Sequence, residues 1–141
     1  MENKKRFEFL QKDYIQGFSE YCGFEVLRVE DGFFESILKI QPGHLQQDGF
    51  VHAGVIAAMA DHTAGYAAFT IVPQDHRILT IEFKINYFKP ALGESIICRS
   101  RVISRGKTII VSESEIFSRN KNQEKLVSKA TVTLMSVLLD S

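Results

Sequence analysis

Residues Ala53 to Phe69 read AGVIAAMADHTAGYAAF, a run of small and apolar residues broken by one carboxylate, Asp61, and one imidazole, His62. Alanine is the strongest helix former, and the segment ends before Pro73, so the run predicts a helix of about 30 Å, long enough to cross a small domain. As a membrane span, Ala53 to Val72 fails: Asp61 and His62 sit near its centre, where a charge is costly in lipid, and Ala and Gly outnumber Leu. The helix must therefore be buried in protein.

The rest of the chain supplies something to bury it against. After Pro73 the sequence reads as β: Leu79 to Phe88, Glu94 to Ser104, Thr108 to Ser118 and Leu126 to Leu139 are rich in Ile, Val, Thr and Phe. Leu92-Gly93, Arg105-Gly106-Lys107 and Asn120 to Gln123 separate them, predicting four consecutive antiparallel strands. Earlier, Phe24 to Glu30 and Phe33 to Ile40 flank Asp31-Gly32, a dipeptide that readily takes the positive φ angles of a two-residue hairpin. At the start, Phe7, Leu10, Tyr14 and Phe18 are spaced by three and four, one apolar stripe on a short helix. The fold class is α+β, with one buried helix on an antiparallel sheet of about six strands, and 141 residues predict a single domain over 1–141.

Seventeen basic and seventeen acidic residues leave no net charge, which removes any global attraction to nucleic acid or an anionic membrane. An anionic ligand must be held by a local positive cluster. Cys22 and Cys98 form no CxxC pair and read as reduced core residues, and no charged segment leading into an apolar one opens the chain. These features predict a cytoplasmic protein. His44, His62 and His76 lack a second ligand at metal spacing, so no metal and no cofactor is expected.

A lone Asp on an uncharged helix costs stability unless it is hydrogen-bonded, paired or open to solvent. At 100° per residue Asp61 shares a face with Ala57, Ala58, Ala64, Gly65 and Ala68, all small enough to admit a ligand or a second backbone. His52 is nine residues earlier, about 180° around and about 13 Å along the axis, so the two cannot form a dyad within one chain. If both serve one active site, two copies of the helix contribute, which predicts a homodimer. The helix opens at His52-Ala53-Gly54 after Asp48-Gly49, and its free N–H groups can hold a carbonyl oxygen that becomes anionic in a transition state.

The stretch LQQDGFVHAGVIAAMADHTAGYA from Leu45, with LTIEFKINYFKPA from Leu79, Gly93 and the Arg105-Gly106-Lys107 turn, resembles the hotdog-fold acyl-CoA thioesterases, specifically the phenylacetyl-CoA type within the 4-hydroxybenzoyl-CoA thioesterase superfamily. The resemblance covers residues from about 24 to 138. It implies a hotdog fold, hydrolysis of an acyl- or aryl-CoA to free acid and CoA, and a dimer or a tetramer of two dimers. Asp61 matches the catalytic carboxylate, acting as general base or nucleophile from the opposite subunit. Ala53 stands at the first Gly of the family's His-Gly-Gly, whose N–H polarises the carbonyl, with His52 and Gly54 beside it. Gln46 stands where relatives often have an Asn that orients the thioester or water, and Thr80 matches a hydroxyl that holds the water. Arg105, Gly106 and Lys107 are the expected docking point for the coenzyme phosphates. Three rival readings fit the same residues: a hotdog hydratase or dehydratase using His52 and a carboxylate, a non-catalytic acyl-CoA sensor or carrier-protein partner, and a structural dimer with a buried Asp.

Overall fold

The computed structural model describes residues 2–139. Helices α1 (Glu2–Tyr14) and α2 (Phe18–Cys22) precede strands β1 (Glu25–Glu30) and β2 (Phe33–Lys39); a short 3-10 turn (Pro42–His44) and a loop lead into helix α3 (Ala53–Phe69). Strands β3 (His76–Tyr87), β4 (Ser95–Arg105), β5 (Ile109–Asn120) and β6 (Gln123–Leu138) follow. All six strands form one antiparallel sheet in the order β1-β2-β4-β5-β6-β3, and α3 lies across one face of it, touching β2 to β6.

The α3 boundaries are those the sequence predicts, and its ends show why. His52, in extended conformation, caps the start by accepting the Gly54 N–H on Nδ1 at 2.8 Å. At the other end the Thr70 hydroxyl donates to the Ala67 carbonyl and accepts the Gly32 N–H, each at 2.7 Å, which ties the β1–β2 turn to the helix. Gly32 alone carries the positive φ in that turn; the Lys121-Asn122 turn between β5 and β6 has positive φ at both positions. Met59, Ala60, Ala64 and Ala67 are fully buried against Phe34, Ile96, Cys98, Ile116 and Leu134 of the sheet.

Alanines let the helix approach closely enough for Ser114 to donate to the Ala60 carbonyl at 2.7 Å. A seam of hydroxyls runs through this core: Thr63 bonds both Tyr14 and Ser36 at 2.9 Å, and Ser100 bonds Ser114 at 2.6 Å. The hydroxyls of this seam are tolerated because they pair with one another, whereas Ser112 and Ser128 are buried without a partner among the described residues.

Two expectations change. The N-terminal stripe does not continue through Phe18: α1 stops at Tyr14, Gly17 takes a positive φ of 54°, and the Ser19 hydroxyl, bonded to the Tyr14 carbonyl, fixes the break. Leu10 and Tyr14 are buried, whereas Phe18 is 64% exposed. Of the four late strands, only β4, β5 and β6 pair in sequence; β3 instead joins the outer edge of β6. A bulge between Thr80 and Glu82 interrupts that pairing, and Leu79, Ile81, Phe83 and Tyr87 are exposed along this edge.

Candidate active site

The loop into α3 is organised by Gln46. Its Oε1 accepts the N–H groups of both Asp48 and Phe50, and since both partners are donors the amide oxygen must face them, leaving Nε2 with no partner among the described residues. The Val51 N–H then bonds the Ala91 carbonyl at 2.9 Å and the His52 N–H bonds the His44 carbonyl at 2.8 Å, fixing where the helix starts. Within the first turn, Gly54 gives its N–H to His52 Nδ1, and Val55 and Ile56 give theirs to the His52 carbonyl. The Ala53 N–H is left without a partner among the described residues, on an exposed residue at the positive end of the helix. Gly54 matters sterically as well: a Cβ there would stand 3.0 Å from His52 Nδ1.

Asp61 lies half-buried at mid-helix, where Thr80 Oγ1 donates to its Oδ1 at 2.7 Å. Its second oxygen has no partner among the described residues. Thr80 thus holds the carboxylate itself, a contact that brings α3 and β3 together beside the bulge. Ala57, Ala58 and Gly65 keep the surrounding face partly open; Ala64 and Ala68, expected on that face, are fully buried. By helical rise the free amide and the carboxylate are about 12 Å apart on one chain.

Beside Ala53 an open cleft of about 510 Å³ is lined by Gln46, Phe50, Ile56, Tyr87, Phe88 and Lys89, with His52 at its edge. The Tyr87 hydroxyl donates to the Ala53 carbonyl at 3.0 Å, and burial raises its pKa above the ordinary tyrosine value. Lys89 also borders a neighbouring cleft of about 550 Å³ that contains Lys121 and Lys125. Sequence reasoning assigned no role to Tyr87, Phe88 or Lys89; the only signal was the NYFKPA run at the end of a strand.

The Arg105-Gly106-Lys107 turn is elsewhere. Arg105 Nη2 donates to the Ile71 carbonyl at 2.6 Å, just past the C-terminus of α3, about 27 Å along the helix axis from Ala53. Arg6 makes a similar bond to the Phe69 carbonyl at 3.3 Å, so the two guanidiniums complement the negative end of the helix dipole. Gly106 is required by the turn, since a Cβ would meet the Ile109 carbonyl oxygen at 2.7 Å. Lys107 is exposed beside them.

The other histidines are structural. His62 hydrogen-bonds the Tyr14 carbonyl through Nε2 at 2.9 Å and packs between Tyr14 and Tyr66, and burial lowers its pKa. His44 accepts the Gln41 N–H on Nδ1 and therefore donates from Nε2 to the Cys22 carbonyl at 2.7 Å. His76 pairs with exposed Asp75. Among the described residues, no three His, Cys, Asp or Glu side chains gather as a metal set, and no helix is long and apolar enough to cross a membrane.

Known proteins share this fold. The profile of the thioesterase superfamily matches residues 48–125, more than half of the chain, including the helix start, Asp61 and Thr80. The medium/long-chain acyl-CoA thioesterase YigI of Escherichia coli is 28% identical over 139 residues, covering 86% of each chain. The 1,4-dihydroxy-2-naphthoyl-CoA hydrolase of Listeria monocytogenes is 26% identical over 120 residues, covering 84% of this chain and 95% of that one. The crystal structure of a thioesterase family protein from Silicibacter pomeroyi superposes with a TM-score of 0.91 at 28% identity, covering 94% of this chain and 98% of that one. A long helix on a six-stranded antiparallel sheet thus has matching relatives along most of the chain: the chain belongs to the thioesterase superfamily and is a hotdog-fold thioester hydrolase.

Proposed function

We propose that the protein hydrolyses acyl-CoA thioesters at sites shared between two copies of the chain. The observation that carries this reading is the separation of two incomplete halves on one helix: the unpartnered Ala53 N–H at its start and the Asp61–Thr80 pair at its middle. In the homodimer each site takes its amide end from one protomer and its carboxylate from the other. The exposed β3 edge, with Leu79, Ile81 and Phe83, supports this surface as the one that pairs, because a long apolar edge strand otherwise invites aggregation.

In this reading the thioester carbonyl points at the Ala53 N–H. Asp61 either takes a proton from water as it attacks the carbonyl carbon or attacks that carbon itself, and Thr80 orients the carboxylate through Oδ1. Negative charge gathers on the carbonyl oxygen, where the amide and the helix dipole stabilise it. Collapse breaks the C–S bond and releases the CoA thiolate, which takes up a proton; the free acid forms at once when water is the attacking group, or after a water molecule cleaves the acyl–Asp61 anhydride when the carboxylate is. Gln46 Nε2, without a partner among the described residues and on a residue that lines the same cleft as Ala53, would hold the carbonyl or the water. The coenzyme phosphates fall to Lys89, which borders the cleft at Ala53, and to Lys121 and Lys125 of the neighbouring cleft that Lys89 also lines; within one chain Arg105 is engaged at the far end of the helix. Two free thiols, Cys22 and Cys98, suit a reducing compartment such as the cytoplasm.

The test is thiol release from a panel of acyl- and aryl-CoAs. Asp61→Asn should lower turnover by about 10²–10⁴-fold, the usual contribution of a catalytic base, while the protein stays folded. Turnover near the wild-type rate in that variant would remove Asp61 from the mechanism, and hydration of an enoyl-CoA without thiol release would replace the reaction.

A further inference from the structure

A second cleft, of about 720 Å³, meets the start of α3 from the other side. It shares His52 with the Lys89 cleft but reaches Gly54 and Val55, where the Lys89 cleft reaches Ala53 and Ile56. At 100° per residue these two pairs lie on opposite flanks of the first helical turn. The free Ala53 amide thus stands between two clefts of different character. One leads to Lys89 and on to Lys121 and Lys125; the other is walled by Phe18 and Tyr21 of α2, with Cys22 and Val55 beneath.

Three polar side chains bordering the aromatic cleft bond to backbone. His44 uses both ring nitrogens, on the Gln41 N–H and the Cys22 carbonyl. The Gln41 side chain accepts the backbone N–H of His44 in a capping box, and His52 Nδ1 holds the Gly54 N–H. Burial keeps the Cys22 thiol protonated. Among the described residues, His52 Nε2, the Gln41 amide nitrogen and the Tyr21 hydroxyl are left without a partner, while the rings of Phe18 and Tyr21, residues 64% and 88% exposed, offer the larger, apolar surface. Both aromatics project outward because of the Gly17 break that ends α1.

We propose that this cleft binds the acyl chain of the substrate, an aliphatic group of medium or greater length, with Phe18 and Tyr21 as its specificity-determining walls. The proposal rests on the acyl-CoA reading above. A thioester whose carbonyl sits at the Ala53 N–H has two arms to place, and the charged coenzyme arm has the lysine side. The volume falls in the range of ligand pockets and exceeds what a two-carbon acyl group needs.

Gly43, on the rim of this cleft, provides the test. Its φ lies outside the left-handed region and nothing stands within 4 Å of where its Cβ would be, so Gly43→Phe fills the cleft without straining the chain. The probes are S-ethyl-, S-hexyl- and S-decyl-CoA thioethers, which need no turnover to report binding. For the wild-type protein, affinity should rise about two- to fourfold per methylene as each is withdrawn from water. Gly43→Phe should weaken S-decyl-CoA at least about tenfold and S-ethyl-CoA far less; Phe18→Ala with Tyr21→Ala should flatten the series. Gly43→Phe binding S-decyl-CoA as tightly as wild type, or affinity independent of chain length, would overturn the proposal. So would a change in oligomeric state on removing the two aromatics, which would make the patch a contact with a second copy. Chain-dependent thioether binding without thiol release from any acyl-CoA would support this cleft while overturning the hydrolytic reading.

Discussion

Thr80 Oγ1 donates a hydrogen bond to Asp61 Oδ1 across 2.7 Å, joining the outermost strand of the sheet to the middle of the buried helix. A carboxylate held by one oxygen has its other oxygen fixed in direction, which is what proton removal from a positioned water, or attack on a carbonyl, demands.

Thr80→Val keeps the shape and strand preference of threonine but removes the donor. Hydrogen bonds to charged groups contribute about 1.5–3 kcal/mol, and at this exposed position the lower end applies, so kcat should fall about tenfold with KM little changed. Thr80→Ser should retain most of the rate. Steady-state kinetics on the best acyl-CoA substrate checks both, and equal losses in the two variants would refute a role for the hydroxyl.

His52 acts here as a helix cap, since its Nδ1 takes the Gly54 N–H. Removing a cap typically costs about 1 kcal/mol, so His52→Ala should lower the unfolding free energy by that amount, read as a lower denaturant midpoint at unchanged m. Asparagine, a favoured cap residue, should restore stability in His52→Asn and much of the turnover with it. A proton-transfer role for His52, as a hydratase would need, predicts full stability but no activity for the same variant.

His62 gives the protein an acid-sensitive limb. Burial holds its folded pKa below the ordinary value of 6.5, so between the two values the unfolded chain binds more protons. Stability is therefore complete above about 6.5 and declines as pH falls through that value towards the lower folded pKa. His62→Gln can still donate to the Tyr14 carbonyl but cannot titrate, and its unfolding free energy should fall less steeply with acid. Chemical denaturation between neutral and mildly acidic pH measures the difference.

The parts of this molecule legible in its sequence are those set by local chemistry. The alanine-rich run gives α3, the glycine and asparagine turns punctuate the strands, and Asp61 is conspicuous as the helix's only carboxylate. What escaped depends on pairing at a distance. Nothing local says that β3 skips β4 to lie outside β6, yet that placement is what brings Thr80 to Asp61. Thr80 was reachable only through family resemblance. Nor does a basic turn reveal its neighbours: the Ile71 carbonyl that engages Arg105 is 34 residues away in sequence. In the N-terminal stripe, regular apolar spacing masked the Gly17 break, and so hid the outward turn of Phe18 and Tyr21.

The central claim is that the amide of one chain serves the carboxylate of another, and mixing two inactive variants tests it. Ala53→Pro deletes the N–H at the first helical position, where proline is favoured, and His52 already has the extended conformation proline requires before it. Asp61→Asn removes the carboxylate. Unfolded together and refolded, the two should recover about a quarter of wild-type turnover, because about half of the dimers are mixed and each carries one intact site. Activity that stays at the average of the two parents would contradict the shared site and place amide and carboxylate in separate roles on one chain.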